Sequence, residues 1–310
     1  MLYVNALHDI VTIIPKKYSV PWFLWDFLFH RSQKRYKECI DIVHQFSENI
    51  IRDRLSEDAE TLENNTDLPF SELHDSEVRR KNMDSLGLLM KKLRKDDLQN
   101  NVDALVFAGH DTTYAALSWA IQLLGEHTDV QEKVYEEMVQ IFDGSNRSPT
   151  KQDLLEMKYL ERVIKETLRL YPSGPTVGRK TRKDIQIGEY TIPAGASIWI
   201  EIYFIHRNPK YYPHPEEFNP DNFLPERVRD RHPYAYLPFS AGPRNCLGQR
   251  YAIMELKAVL SSIVRNFKIR SLKETKDLNP LMGLTITPHG GVNIELTLRD
   301  NNKENKFTEN

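Results

Sequence analysis

Between Leu98 and Leu124, apolar or small residues recur at Leu98, Val102, Leu105, Val106, Gly109, Thr113, Ala116, Leu117, Ala120, Ile121 and Leu124. That ~3.6-residue period over roughly 28 positions predicts a single helix about 40 Å long, enough to cross a domain. Asp96, with Gln99 three residues on, is placed to cap its start, and Gly125 to end it. A chain built around such a rod has to pack further helices along it. Thr128 with Gln131 opens a second helix that stops near Gly144, Thr150 opens a third, and residues 159–170 form a fourth, halted by Tyr171-Pro172.

Upstream, residues 31–54 carry a helical pattern, and 55–82 is acidic and polar, read as a solvated connection with weak structure. Residues 20–29 hold Trp22, Phe23, Trp25, Phe27 and Phe29. This run is either an aromatic corner of the core or an amphipathic loop that dips into a bilayer surface. After Pro172 the period falls to two around Gly188 and Ala194-Gly195, which predicts a small antiparallel sheet. Residues 209–243 contain eight of the chain's 17 prolines, so they cannot form regular helix or central strand. Their Tyr and Phe content predicts an ordered, packed meander. A helix resumes over 247–267, a last hairpin turns at His289-Gly290-Gly291, and 299–310 reads as a polar tail.

Composition narrows the function. With 40% hydrophobic and 28% charged residues the 310-residue chain is globular, and a net charge of −2 supplies no basic field to recruit nucleic acid. Two cysteines, Cys39 and Cys246, exclude a disulfide framework or a Cys-rich zinc module. Mean hydropathy is −0.54, no apolar stretch approaches the ~18 residues of a membrane span, and Asn5, His8 and Asp9 interrupt any signal-peptide core.

Three local anomalies stand out. In Pro238-Phe-Ser-Ala-Gly-Pro-Arg-Asn-Cys-Leu-Gly-Gln-Arg250 a cysteine sits between a Gly/Pro-punctuated loop and a helix N-terminus. There, unpaired amide hydrogens and the helix dipole favour thiolate, and Arg244 adds positive charge. An isolated cysteine is more often an inert thiol, and a Cys–His nucleophile finds no signature around Cys246. The second anomaly, Ala108-Gly-His-Asp-Thr-Thr113, puts a glycine inside the long helix at about 1 kcal/mol relative to alanine. Gly109 and Thr112 share a face, giving a notch with one hydroxyl and the Asp111 carboxylate behind it. A helix crossing packed on small residues is the plainer explanation. The third is Glu166-Thr-Leu-Arg169, whose i, i+3 spacing by itself describes a surface ion pair worth little.

Together, Phe239-x-x-Gly242-x-Arg244-x-Cys246-x-Gly248, Ala108-Gly-x-Asp-Thr-Thr113 and Glu166-x-x-Arg169 resemble, in order, the motifs of the cytochrome P-450 superfamily of haem-thiolate monooxygenases. The wording of residues 204–209, 218–223 and 235–246 is closest to the fatty-acid ω-hydroxylase branch, especially insect-like members. The resemblance runs to about residue 298. It implies a mainly α fold with a small β region, the C-terminal part of that fold from its helix F region onward, with a polar tail after residue 298. Haem b would be held by the Cys246 thiolate, with Phe239, Gly242, Gly248 and Gly109 around it and Arg244 and Arg179 on its propionates. Asp111 and Thr112 would deliver protons to bound dioxygen, while Glu166 and Arg169 would hold the meander. Ala104, Leu105, Ala108, Val177 and Leu284 fall in substrate-contacting segments whose small, apolar character suits a greasy small molecule.

The resemblance further implies electrons from NADPH through a cytochrome P-450 reductase, with cytochrome b5 as a further partner and Arg227, Arg229, Arg231 and Arg250 as a basic docking face. It also implies the cytosolic face of the endoplasmic reticulum membrane, touched through residues 20–29. Relatives that esterify haem carry Glu where this chain has Ala108, so coordination alone is expected here. Asn222 stands where the wider family has an Arg beside Glu166 and Arg169. The chain starts about where helix F begins, so the anchor and earlier helices are expected to be missing. The competing expectations are a non-catalytic fragment without a closed haem pocket and a reductase-independent isomerase or dehydratase, against which the Asp111-Thr112 pair argues.

Overall fold

The computed structural model describes residues 2–18, 20–64 and 93–299, which divide into two units, residues 1–111 and 112–310. In the first unit, helix α1 (Leu2–Tyr18) and helix α3 (His30–Asn64) pack through Ala6, Leu7 and Ile10 against Cys39 and Val43, with Phe107 laid on the same cluster. The i, i+4 spacing of Cys39 and Val43 puts both on one face of α3. A helix over α1 was not expected from the sequence, because its polar residues break the apolar run. Helix α3 also continues through 55–64, where a weakly structured connection was expected; residues 65–92 and 300–310 lie outside the described residues.

Residues 22–28 form a short helix, α2 (Trp22–Leu28), rather than a loop. Trp25 is buried and donates its indole N–H to Gln33 Oε1 at 2.8 Å, whereas Phe27 is 83% exposed and Leu28 58%. The side chains of Trp22 and Phe23 lie outside the described residues.

The long helix α4 (Lys95–Glu126) matches its expected span to within a residue at each end. Asp96 therefore falls inside the first turn rather than at the cap, and its side chain lies outside the described residues. Gly125 does not terminate α4. A Cβ there would meet the Ser271 backbone nitrogen at 2.7 Å, so this glycine permits a close helix–strand approach.

In the second unit, Ala116, Ala120 and Leu124 of α4 share one core with helix α5 (Thr128–Phe142), helix α7 (Lys158–Leu170) and helix α10 (Gln249–Asn266). Val130, Val134 and Met138 on α5, and Leu256, Leu260 and Val264 on α10, supply the i, i+4 stripes. Each such side chain contributes about 1.5–3 kcal/mol when fully buried. Thr150 caps helix α6 (Lys151–Glu156) as expected, in a reciprocal capping box with Asp153. Gln131 was expected to cap α5. Its side chain instead donates to Leu124 O and Ile269 O and accepts from Ile269 N–H, while His127 occupies the cap position.

The strands form four antiparallel pairs rather than one small sheet: β1 (Thr176–Lys180) with β4 (Ser197–Glu201), β2 (Ile185–Ile187) with β3 (Tyr190–Ile192), β5 (Phe267–Ser271) with β8 (Ile294–Leu298), and β6 (Pro280–Met282) with β7 (Ile286–Pro288). The turn at 289–291 therefore does not close a hairpin, because the strands on either side pair with earlier partners. Helices α8 (Ile202–Ile205) and α9 (Pro225–Arg229) are single short turns in the path of the meander. Arg299, expected as the first residue of a polar tail, is buried and forks onto both oxygens of Glu132 at 2.9 and 3.0 Å; the rest of that expected tail lies outside the described residues. No helix among the described residues is long and apolar enough to cross a membrane.

Candidate functional site

Cys246 lies at the end of an irregular loop, three residues before α10 begins, and is exposed. Ser240 at φ +59° and Gly242 at φ +78° fold the loop back on itself. The Cys246 N–H then donates to Phe239 O at 2.9 Å, and Asn245 N–H to Gly242 O at 3.1 Å. Phe239 packs on the main core, so the base of the loop is anchored while its crest is presented. Gly248 is the N-cap of α10, and a Cβ there would sit 3.9 Å from Cys246 Sγ, placing this glycine directly beside the sulfur. Leu247 is 92% exposed, an apolar side chain next to the thiol with its face open.

These residues fit a haem. Among the described residues no group of three His, Cys, Asp or Glu side chains can hold a metal ion, so an iron held by Cys246 would need its other donors from a prosthetic group. An exposed cysteine just before the positive end of an 18-residue helix suits a thiolate ligand. Arg244, in the 3-10 turn Gly242–Arg244, and Arg179 on β1 are both exposed, with guanidinium geometry suited to carboxylates.

Glu166 and Arg169 are both fully buried, unlike the exposed pair that their spacing alone describes. Arg169 Nε and Nη2 lie 2.8 Å from the two Glu166 oxygens. Arg169 Nη1 donates to His206 O and Pro215 O, and Nη2 also to Glu217 O. Glu166 Oε1 further accepts from Asn219 N–H and Asn222 Nδ2. All five guanidinium N–H groups are used, so this pair clamps the backbone of the meander to α7. Asn222, where the wider family pattern has an arginine, joins the same carboxylate as a neutral donor.

On α4, Gly109, Ala104, Leu105 and Ala108 are exposed, and Asp111 is buried. A Cβ on Gly109 meets no described atom within 4 Å, so among the described residues this is not a small-residue helix crossing. In the second unit, Thr112 is half-buried and its carbonyl accepts from Ser173 Oγ at 2.8 Å. Ile286 N–H donates to Ser173 O, and Trp119 Nε1 to Ile286 O at 3.0 Å. This chain of bonds brings Thr112 together with the strand that follows Leu284, which is itself 46% exposed. Val177, half-buried, pairs with Ile200 across β1 and β4. Ser173 carried no signal in the sequence, and His206 entered only within the wording of residues 204–209, since neither belongs to a periodic pattern.

The expected basic face is less uniform than its sequence. Arg231 donates to Asn222 O at 2.7 Å and lies over the Tyr212 ring, and Arg229 faces Asp230. Arg227 and Arg231 line a cleft of about 530 Å³ together with Glu217 and Asp230, so its charge is mixed.

A cysteine presented this way, a buried ion pair gathering a proline-rich meander, and a long continuous helix carrying Ala-Gly-x-Asp-Thr-Thr define a cytochrome P-450 fold. The cytochrome P450 family model matches residues 1–294, and the chain belongs to that family. It is 41% identical over 309 residues to cytochrome P450 4c3 of Drosophila melanogaster, an alignment covering 96% of this chain and 58% of that protein. Cytochrome P450 4c21 of Blattella germanica is 38% identical, covering 96% and 60%, and human cytochrome P450 4V2 is 38% identical, covering 96% and 58%. The chain thus spans under two thirds of the length of these relatives.

Proposed function

We propose that this chain carries the haem-thiolate centre of a monooxygenase that inserts one oxygen of O2 into a C–H bond of an apolar substrate, in the fatty-acid or lipid class. The observation that carries the reading is Cys246, exposed at the head of α10 with its own N–H held by Phe239 O. Haem, when bound, supplies the oxygen activation. Cys246 would hold its iron as a thiolate, and Arg244 and Arg179 would hold the carboxylates of the cofactor. Thr112 offers a hydroxyl from a helix whose local carbonyl is tied down by Ser173, so that its position is fixed before substrate enters. The Asp111 carboxylate, next in the chain, passes protons toward that hydroxyl. Val177 and Leu284 would offer apolar surface to the substrate, the role that the family resemblance also gives Ala104, Leu105 and Ala108, and Ala108 carries no carboxylate to esterify the cofactor.

Electrons are proposed to come from NADPH through a cytochrome P-450 reductase, with cytochrome b5 as a second donor, both docking near Arg250 and Arg227. Phe27 and Leu28 on α2 supply an apolar surface for contact with the endoplasmic reticulum membrane from its cytosolic side. The test is the reduced, carbon-monoxide-bound difference spectrum of the chain supplied with haem, beside Cys246→Ala. A red-shifted Soret band that vanishes in the variant is the expected result. Absence of haem uptake, or a band at the histidine-ligated position, would overturn the reading in favour of a non-catalytic fragment.

A further inference from the structure

His206 stands five residues beyond Glu201, the last paired residue of β4, at the end of the single turn α8, and its side chain does more than fill space. The residue is fully buried, and its ring stacks on Tyr236 with centroids 5.1 Å apart. Ring Nδ1 lies 3.2 Å from Arg169 O, and ring Nε2 lies 2.7 Å from Leu237 N. A carbonyl only accepts and a backbone N–H only donates, so both partners dictate the same tautomer. Nδ1 carries the hydrogen and Nε2 presents its lone pair to Leu237. Arg169 O is one of the last carbonyls of α7, which have no partner within the helix. Burial pushes the His206 pKa down to about 3, in keeping with a ring that stays neutral.

Both ends of this bridge matter. At one end is the residue that anchors the buried ion pair, and Arg169 Nη1 returns a bond to His206 O at 3.2 Å. At the other end begins the cysteine loop. Leu237 O accepts from Ser240 N–H at 3.0 Å, and Phe239 O accepts from Cys246 N–H at 2.9 Å. Pro238, between them, has no N–H and a fixed φ, so the Leu237 N–H is the last point before the loop's own turn at which this backbone is tied elsewhere.

We propose that His206 is a positioning residue for Cys246: its Nε2 holds Leu237 and so sets where the backbone that carries the thiolate begins. The inference deepens the haem-thiolate reading and rests on it for its meaning, but the bridge can be tested without cofactor. Three whole-chain variants separate a bridge from a core filler. His206→Gln keeps an acceptor near the Nε2 position, His206→Asn keeps only a donor near Nδ1, and His206→Phe keeps the ring shape and neither bond.

The readouts are amide hydrogen exchange of the segment holding Leu237 and Cys246, and the alkylation rate of Cys246 by iodoacetamide, both in the haem-free chain. His206→Phe and His206→Asn are expected to raise exchange and alkylation by about tenfold, the worth of one hydrogen bond, with α10 still protected. His206→Gln is expected to return both near the wild-type values. Wild-type exchange and alkylation in the Phe variant would overturn the proposal. Equal behaviour of Gln and Asn, including equal failure to fold, would overturn it as well. Failure of the wild-type carbon-monoxide spectrum strikes the haem-thiolate reading alone, because neither readout involves haem.

Discussion

Asn222 donates its amide N–H to Glu166 Oε1 at 3.0 Å, sharing that one oxygen with Arg169 Nη2 and the Asn219 N–H. A neutral amide thereby completes a carboxylate whose charge is already matched by Arg169. The two partners of Glu166 should therefore differ sharply in what their loss costs. Asn222→Ala removes one of three donors to Oε1 and is expected to cost about 1 kcal/mol. Arg169→Met strands a buried carboxylate and is expected to cost about 3–5 kcal/mol, or to prevent folding. Urea unfolding of the two variants measures both; equal losses would refute the distinction.

Acid should unfold this chain in two overlapping steps. His206 falls from its ordinary 6.5 to about 3 through burial, so below pH 6.5 the unfolded chain takes up a proton that the folded one refuses. Stability is then lost as pH falls from 6.5 toward 3, by about 1.4 kcal/mol per pH unit for this one group. For Glu161, burial acts upward but is outweighed by hydrogen bonds from Lys165 and Lys257, which hold it near 2 against an ordinary 4.5. Its contribution is present above pH 4.5 and is lost toward pH 2. Urea midpoints between pH 7.5 and 4 test the first step, and His206→Gln should flatten the slope between pH 6.5 and 5.

Thr112→Ala and Asp111→Asn should leave the cofactor spectrum unchanged, because neither residue is a ligand in the proposed site. Product formed per NADPH consumed should fall, with turnover down by roughly 100-fold for loss of a positioned proton donor. Parallel assays of NADPH consumption, peroxide release and product check this. Unchanged coupling would remove both residues from the proton path.

Phe27→Asp with Leu28→Asp should weaken binding to vesicles of phosphatidylcholine and phosphatidylserine at least tenfold. Each apolar side chain contributes about 1.5–3 kcal/mol when fully buried, and α2 exposes both. Co-sedimentation of the double variant with vesicles at equal affinity would remove α2 from the contact.

Most of the helical frame was legible because α4, α5, α7 and α10 repeat apolar residues over several turns, and repetition is what the sequence displays best. The cysteine loop and the buried pair were legible as spacing, though spacing alone misjudged Glu166 and Arg169 as exposed. What hides them from water is the meander, whose carbonyls at His206, Pro215 and Glu217 come from residues 37 to 48 positions away. Strand pairing was the least legible part. β5 pairs with β8 across some two dozen residues, and the Gly290-Gly291 turn, at φ near +80°, mimics a hairpin it does not close. Helix α1 was missed for a different reason: its apolar face becomes visible only once α3 supplies something for it to cover.

Gly125 gives Thr112 a fixed reference point. With no side chain, it lets α4 rest directly on the backbone at Ser271, and any larger residue would force the two apart. An α-helix advances 1.5 Å per residue, so Thr112, thirteen residues earlier, sits about 20 Å from that contact along the axis. The helix thus works as a ruler with its zero mark pressed against a strand. Insertions or deletions between residues 112 and 125 would misread the distance by 1.5 Å and about 100° apiece, turning the Thr112 hydroxyl to another direction while leaving every residue of the motif in place.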